Sequence, residues 1–137
     1  PVPAVLASRA IMMLLRPGDH GSTFRGNPLA AAVGRVALRV LVHERLAERA
    51  AEQGAYLFER LRGLGAPCIA GIRGRGLLVG IEISAGAGSA RTFCERLAEL
   101  GVLAKDTHEQ VIRLAPPLIV ERRELDWLVE QLRVVLR

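Results

Sequence analysis

The feature that most limits the fold of this chain is a long stretch of helical spacing followed by short apolar segments. In the first part of the stretch, apolar residues recur at steps of four, three and four, which places them on one helix face. These residues are Leu29, Val33, Val36 and Val40. A second helical pattern runs on to Leu64, with a break expected near residues 43–45, and the glycines at 63 and 65 end it.

The remainder of the chain alternates between short apolar segments and amphipathic ones. We predict strands at 67–71, 77–83, 102–104 and 111–114, and helices at about 90–100 and 121–136. Arg73 to Gly76 is predicted to form the turn between the first two strands. The order of elements predicts an α+β domain, with helices packed on one face of a small antiparallel sheet.

The segment from Gly18 to Leu29 combines glycines, hydroxyl residues and a helix start. Asn27 is a favourable N-cap, and Pro28 suits the first helical position because that position needs no backbone donor. Ser22 and Thr23 can offer hydroxyls and amides to an anion. An ordinary capped loop would have the same composition, so the residues alone leave both interpretations open.

Three ordered segments resemble motifs of the class III aminotransferases, which depend on pyridoxal 5'-phosphate (PLP). Residues 18–29 resemble the family's HGST(Y/F)GGNPL motif, and residues 72–78 resemble its (V/I)RGKGLL motif. Residues 101–118 are similar to the segment around "LAKPTH" that is typical of the ornithine aminotransferases within that family. The resemblance covers essentially the whole chain.

This resemblance implies the fold of type I PLP enzymes and an assignment of segments to its domains. Residues 1–26 would be the trailing segment of the large PLP-binding domain, 27–45 an interdomain helix and 46–137 the small C-terminal domain. The chain would then be the C-terminal portion of the enzyme. Its partners would be the N-terminal part of the aminotransferase and a second protomer in a homodimer or higher oligomer.

The resemblance also implies which residues bind ligands. Ser22 and Thr23 would hold the PLP phosphate of the neighbouring protomer, through charge-assisted hydrogen bonds. Arg113, inside the apolar strand 111–114, would bind a substrate carboxylate, unless its head simply lies in water. In the family that the chain resembles, the Schiff-base lysine lies upstream of the matching segment. The chain's one lysine, Lys105, stands elsewhere, so the resemblance assigns no catalytic residue here.

Some residues depart from the family pattern. Arg25 and Glu109 stand where glycine is common, and Asp106 replaces the proline of the "LAKPTH" element. Arg25 either adds a phosphate contact or crowds the loop.

Composition argues against other classes of protein. Aromatic residues make up 4% of the chain, too few for a base-stacking surface, and the net charge of +5 arises from arginines interspersed with glutamates. Cys68 and Cys94 lack metal-site spacing, as do the three histidines, so no metal is expected. With no signal peptide or membrane-spanning run recognised, a cytoplasmic location is expected.

The leading hypothesis is the C-terminal part of an aminotransferase that moves the delta-amino group of ornithine to 2-oxoglutarate. The products would be glutamate 5-semialdehyde and glutamate, and this chain alone would be inactive. Alternatives are another class III enzyme such as an acetylornithine aminotransferase, or a non-catalytic remnant or docking subunit of a split aminotransferase. A basic nucleic-acid-binding domain is a further, weaker alternative.

Overall fold

A computed structural model describes residues 5–21 and 26–137 of the chain. The chain divides into two compact units, Pro1–Glu44 and Arg45–Arg137. Assignment of the segments 1–26, 27–45 and 46–137 to the domains of an aminotransferase stays a prediction.

In the described part of the first unit there are two helices, α1 (Arg9–Met12) and α2 (Pro28–His43). The predicted N-cap of α2 is confirmed, because Asn27 Oδ1 accepts hydrogen bonds from the backbone N–H groups of Leu29 and Ala30, at 2.9 and 3.2 Å. No residue of α2 is buried, and its apolar side chains are largely exposed. Among the described residues, α2 therefore has no buried apolar face.

The predicted break between the two long helices is confirmed at Arg45. Its φ is +51°, in the left-handed region that interrupts a helix, and α3 (Leu46–Arg62) begins directly after it. The second unit contains two more α-helices, α4 (Ala90–Glu99) and α5 (Arg122–Val135), and a short 3-10 helix at Ala85–Ala87. At the start of α5 the side chain of Glu121 and that of Glu124 form a reciprocal capping box.

The second unit is built on a four-stranded antiparallel sheet. Its strands are β1 (Ile69–Arg75), β2 (Leu78–Ile83), β3 (Lys105–Thr107) and β4 (Val111–Leu114), in the spatial order β1-β2-β4-β3. Val79, Ile81 and Ile112 point from the two central strands into the core, where α3, α4 and α5 cover one face of the sheet. The predicted α+β architecture is thereby confirmed.

Two strand boundaries were predicted wrongly. β1 extends to Arg75, so the turn lies at residues 76–77 and not at 73–76. Glycine at position 74, with φ +151°, lets the strands approach closely, because a Cβ there would lie 2.1 Å from the carbonyl oxygen of Leu78. The strand expected at 102–104 is instead β3, at Lys105–Thr107. Val102 is buried in an irregular segment that returns to the end of α4, where its N–H bonds to Leu97 O at 2.9 Å.

The hairpin between β3 and β4 explains one departure from the family pattern. Both His108 and Glu109 have positive φ, +50° and +59°, as a tight hairpin requires. Glycine adopts this conformation without strain, which is the physical reason why glycine is common at the position that Glu109 occupies in this chain. The carbonyl of Glu109 accepts a hydrogen bond from Ala90 N at 2.8 Å, so the turn also supports the start of α4.

A polar contact joins α3 and α5. The Tyr56 hydroxyl donates to Asp126 Oδ1 at 2.6 Å, Arg60 forms an ion pair with the same carboxylate at 3.1 Å, and the Arg122 guanidinium lies 4.8 Å from the Tyr56 ring centre. The hydrogen bond to Asp126 raises the pKa of Tyr56 above its ordinary value of 10.0, because deprotonation would place two negative charges together.

This contact predicts loss of stability at alkaline pH. Since the folded-state pKa of Tyr56 is raised, the stabilisation of the folded state by this group is complete below pH 10.0. It is lost as pH rises through the folded-state pKa. We expect the urea concentration at the midpoint of unfolding to decrease as pH rises through the folded-state pKa of Tyr56. The Tyr56→Phe variant should show a smaller decrease of this midpoint at alkaline pH. Urea titrations followed by circular dichroism at several pH values check this. An identical pH dependence in both proteins would contradict the assignment.

Candidate functional site

The predicted phosphate-binding residues, Ser22 and Thr23, lie outside the described residues. After them, Gly26 has φ +71°, and Asn27 closes the first turn of α2. The Asn27 side chain already accepts hydrogen bonds from two of the first amides of α2. An anion bound here would therefore depend on the residues before Gly26 rather than on those two amides.

Arg113 lies on β4, an interior strand, and its side chain is exposed. Its neighbours Ile112 and Leu114 are 0% and 3% exposed, because alternation along the strand turns them to the core and Arg113 to the other face. No ion pair joins Arg113 to a carboxylate of the described residues. The guanidinium is thus presented on an open sheet face, available to a carboxylate ligand.

Arg113 belongs to a row of residues that crosses the whole sheet. The register pairs Arg73 of β1 with Gly80 of β2, Gly80 with Arg113 of β4, and Arg113 with Lys105 of β3. Residues paired in this way project from the same face. Three cations and one glycine therefore form a line across the face opposite the core, which is called the outer face below.

The cations of this row differ in their partners. Arg73 Nη1 donates to Glu82 Oε2 at 2.5 Å, so its charge is neutralised within the sheet. Neither Arg113 nor Lys105 forms an ion pair with any described carboxylate. The uncompensated positive charge of the outer face therefore lies at the β4–β3 end of the row.

A cavity of about 420 Å³ lies at the end of the sheet, where α3 meets the β1–β2 turn. It is lined by alanines of α3, by Arg75, Leu77 and Leu78 near that turn, and by Ala115 and Pro116 after β4. None of the four residues of the charged row lines it, so the cavity is not part of the candidate carboxylate site.

Sequence reasoning missed Lys105 and the Arg73–Glu82 pair as parts of this surface. In the sequence, Lys105 stands out only as the chain's one lysine, and the strand predicted at 102–104 lies three residues before β3. The apolar alternation of residues 111–114 gave the orientation of Arg113, but no local signal gave the register that places Lys105 beside it.

The cysteines offer no reactive centre. Cys94 is buried, and this burial raises the pKa of its thiol, which keeps the sulfur protonated. The Cys68 thiol donates to the backbone carbonyl of Leu136 at 3.0 Å. Among the described residues, no group of three His, Cys, Asp or Glu side chains is placed to hold a metal ion. No helix in that part of the chain is long and apolar enough to cross a membrane.

Comparison with known proteins decides the family. The sequence pattern of the family "Aminotransferase class-III" matches residues 1–136 of this chain. The chain belongs to the class-III aminotransferase family. Enzymes of this family depend on PLP, and the observed small α+β domain agrees with their fold.

Proteins similar to this chain include ornithine and acetylornithine aminotransferases. An ornithine aminotransferase from Bordetella pertussis is 54% identical over 136 residues, which are 99% of this chain and 33% of that protein. A solved ornithine aminotransferase from Plasmodium yoelii has a TM-score of 0.87 and 37% identity, covering 96% of this chain and 35% of that one. An acetylornithine aminotransferase from Elizabethkingia anophelis has a TM-score of 0.82 and 40% identity, with coverage of 96% and 34%. The chain thus spans about a third of the length of these relatives.

Proposed function

We propose that this chain is the C-terminal part of an ornithine aminotransferase. The complete enzyme would transfer the delta-amino group of ornithine to 2-oxoglutarate, giving glutamate 5-semialdehyde and glutamate. The observation that carries the proposal is the 54% identity to the Bordetella pertussis ornithine aminotransferase across 99% of the chain. The guanidinium of Arg113, exposed and without an ion pair to any described carboxylate, is compatible with binding a substrate carboxylate.

In this proposal, each part of the chain has a separate role. Ser22 and Thr23 hold the PLP phosphate of a neighbouring protomer, so the active site is complete only in a homodimer or higher oligomer. Arg113 binds and orients a carboxylate through its planar fork of N–H donors. PLP, when bound, supplies the carbonyl group that accepts and returns the amino group. The chain alone lacks the lysine that holds PLP and is therefore inactive.

The proposed function predicts reassembly with the N-terminal part of the aminotransferase. We expect a visible absorbance band of bound PLP when the two parts are expressed together, and no such band with this chain alone. The band should be lost when ornithine is added and restored by 2-oxoglutarate. Spectra of the chain alone and of the combined sample, hereafter the reconstituted enzyme, check this. A band that ornithine does not change would contradict the substrate assignment, and no band in the reconstituted enzyme would contradict reassembly.

Thr23 can be tested in the same assay. In the reconstituted enzyme, Thr23→Ala should weaken PLP binding, whereas Thr92→Ala, the same change on the exposed side of α4, should leave it unchanged. Equal PLP affinity in the two variants would contradict the phosphate-binding role.

A second candidate substrate follows from the match to the Elizabethkingia anophelis acetylornithine aminotransferase. That activity would accept N-acetylornithine in place of ornithine. The two candidates are separated by adding each amine to the reconstituted enzyme and comparing the rates at which the PLP band is lost. Faster loss with N-acetylornithine would favour the second candidate.

A further inference from the structure

We propose that Lys105 and Arg113 together form a two-cation carboxylate site, in which Lys105 favours a dicarboxylate substrate over ornithine. The inference rests on the proposed function for the identity of the two substrates. It adds a binding residue, Lys105, to the arginine that the family resemblance implies. The structure supports it through register, exposure and unneutralised charge.

The register brings the two cations together. Lys105 and Arg113 are direct partners in the antiparallel β3–β4 ladder, which places their Cβ atoms about 4.5–5.5 Å apart on one face. Both side chains are exposed on the outer face. A carboxylate bound to the guanidinium of Arg113 is therefore within reach of the flexible Lys105 ammonium group.

The pair has no counter-charge among the described residues. Glu82 lies on the neighbouring strand β2, diagonal to Arg113, and forms an ion pair with Arg73. Asp106 adjoins Lys105 in sequence but is paired with the core residue Ile112, so it points to the opposite face. Like charges directly opposite each other in a sheet are destabilising. A bound carboxylate removes this repulsion and is attracted by both groups.

The second cation distinguishes the two proposed substrates. 2-Oxoglutarate carries two carboxylates and no ammonium group, whereas ornithine carries one carboxylate and two amino groups. Arg113 can bind a carboxylate of either molecule. A second positive charge beside it attracts the dicarboxylate further but repels the ammonium groups of ornithine. Lys105 thus acts on the acceptor substrate more than on the donor.

Kinetics of the reconstituted enzyme test this site. We expect Lys105→Met to raise the KM for 2-oxoglutarate about five- to tenfold, a tenfold change corresponding to about 1.4 kcal/mol. The KM for ornithine should be unchanged or lower, and Lys105→Arg should restore most of the 2-oxoglutarate affinity. Arg75→Met is the matched control, because Arg75 is exposed at the β1–β2 turn and is separated from Arg113 by β2.

An unchanged KM for 2-oxoglutarate in Lys105→Met, or equal rises for both substrates, would overturn the inference. A wild-type enzyme that does not react with ornithine would instead overturn the proposed function.

The site is then tested directly by titrating this chain with glutarate at constant ionic strength, followed by NMR of the Lys105 and Arg113 side chains. Saturable shifts at both residues support the site. Absence of a saturable shift at Lys105, or one reproduced equally by 1,5-diaminopentane, overturns it.

Discussion

Gly54→Ala is expected to destabilise the second unit by about 3 kcal/mol, although alanine is the better helix former. Gly54 lies within α3 where this helix meets the turn between β1 and β2. A Cβ at this position would lie 2.3 Å from the carbonyl oxygen of Gly76 and 2.6 Å from its Cα. These atoms are backbone, so they cannot move away by changing a rotamer. The helix and the turn would have to separate, which exposes the core between them.

Urea unfolding of the chain, followed by circular dichroism, measures this effect. Gly86→Ala is the matched control, because no atom of the described residues lies within 4 Å of a Cβ built at Gly86 and its φ is not positive. We expect this control to stay within about 0.5 kcal/mol of the wild type. If Gly54→Ala instead unfolded at the same or higher urea concentration, the close approach of α3 to the β1–β2 turn would be wrong.

Arg113→Met is expected to lower kcat/KM for 2-oxoglutarate in the reconstituted enzyme about 100-fold, corresponding to about 2.7 kcal/mol. Loss of the guanidinium removes the charged hydrogen bonds proposed to hold the substrate carboxylate. The stability of the chain should change little, because Arg113 is exposed and forms no ion pair with a described residue. Steady-state kinetics together with thermal unfolding separate the two effects.

Two further variants define the role of Arg113. Arg113→Lys keeps the charge but not the planar fork, so we expect it to recover only part of the activity. Arg75→Met removes an exposed arginine from β1 and should retain activity within about twofold. A normal kcat/KM in Arg113→Met would exclude Arg113 from carboxylate binding. A large loss of stability in that variant would show that the residue is structural.

Local sequence patterns were sufficient for features that depend on neighbouring residues. Asn27 was recognised as an N-cap because its side chain bonds to amides only two and three residues away. The helix at Arg122–Val135 was predicted closely, since its apolar residues repeat at helical spacing. The apolar residues around Arg113 likewise predicted the strand at Val111–Leu114.

Contacts between distant residues were not predictable in the same way. The sequence contains Lys105 and Arg113, but the placement of the first strand residue decides whether they share a face, because a shift of one residue reverses every side chain. That placement depends on the positive φ values of His108 and Glu109 in the hairpin. The sequence also did not predict the close approach of Gly54 to Gly76, since helix propensity alone would favour alanine at position 54.

The sequence by itself determined the order of helices and strands, the ends of several helices and the family resemblance, because each is encoded in a short run of residues. The tertiary structure decided which charges meet on the outer face. It paired Arg73 with Glu82 and left Arg113 and Lys105 side by side without a described counter-ion. The physical reason is that strand register brings together residues far apart in the chain, and their charges interact only after the sheet has formed.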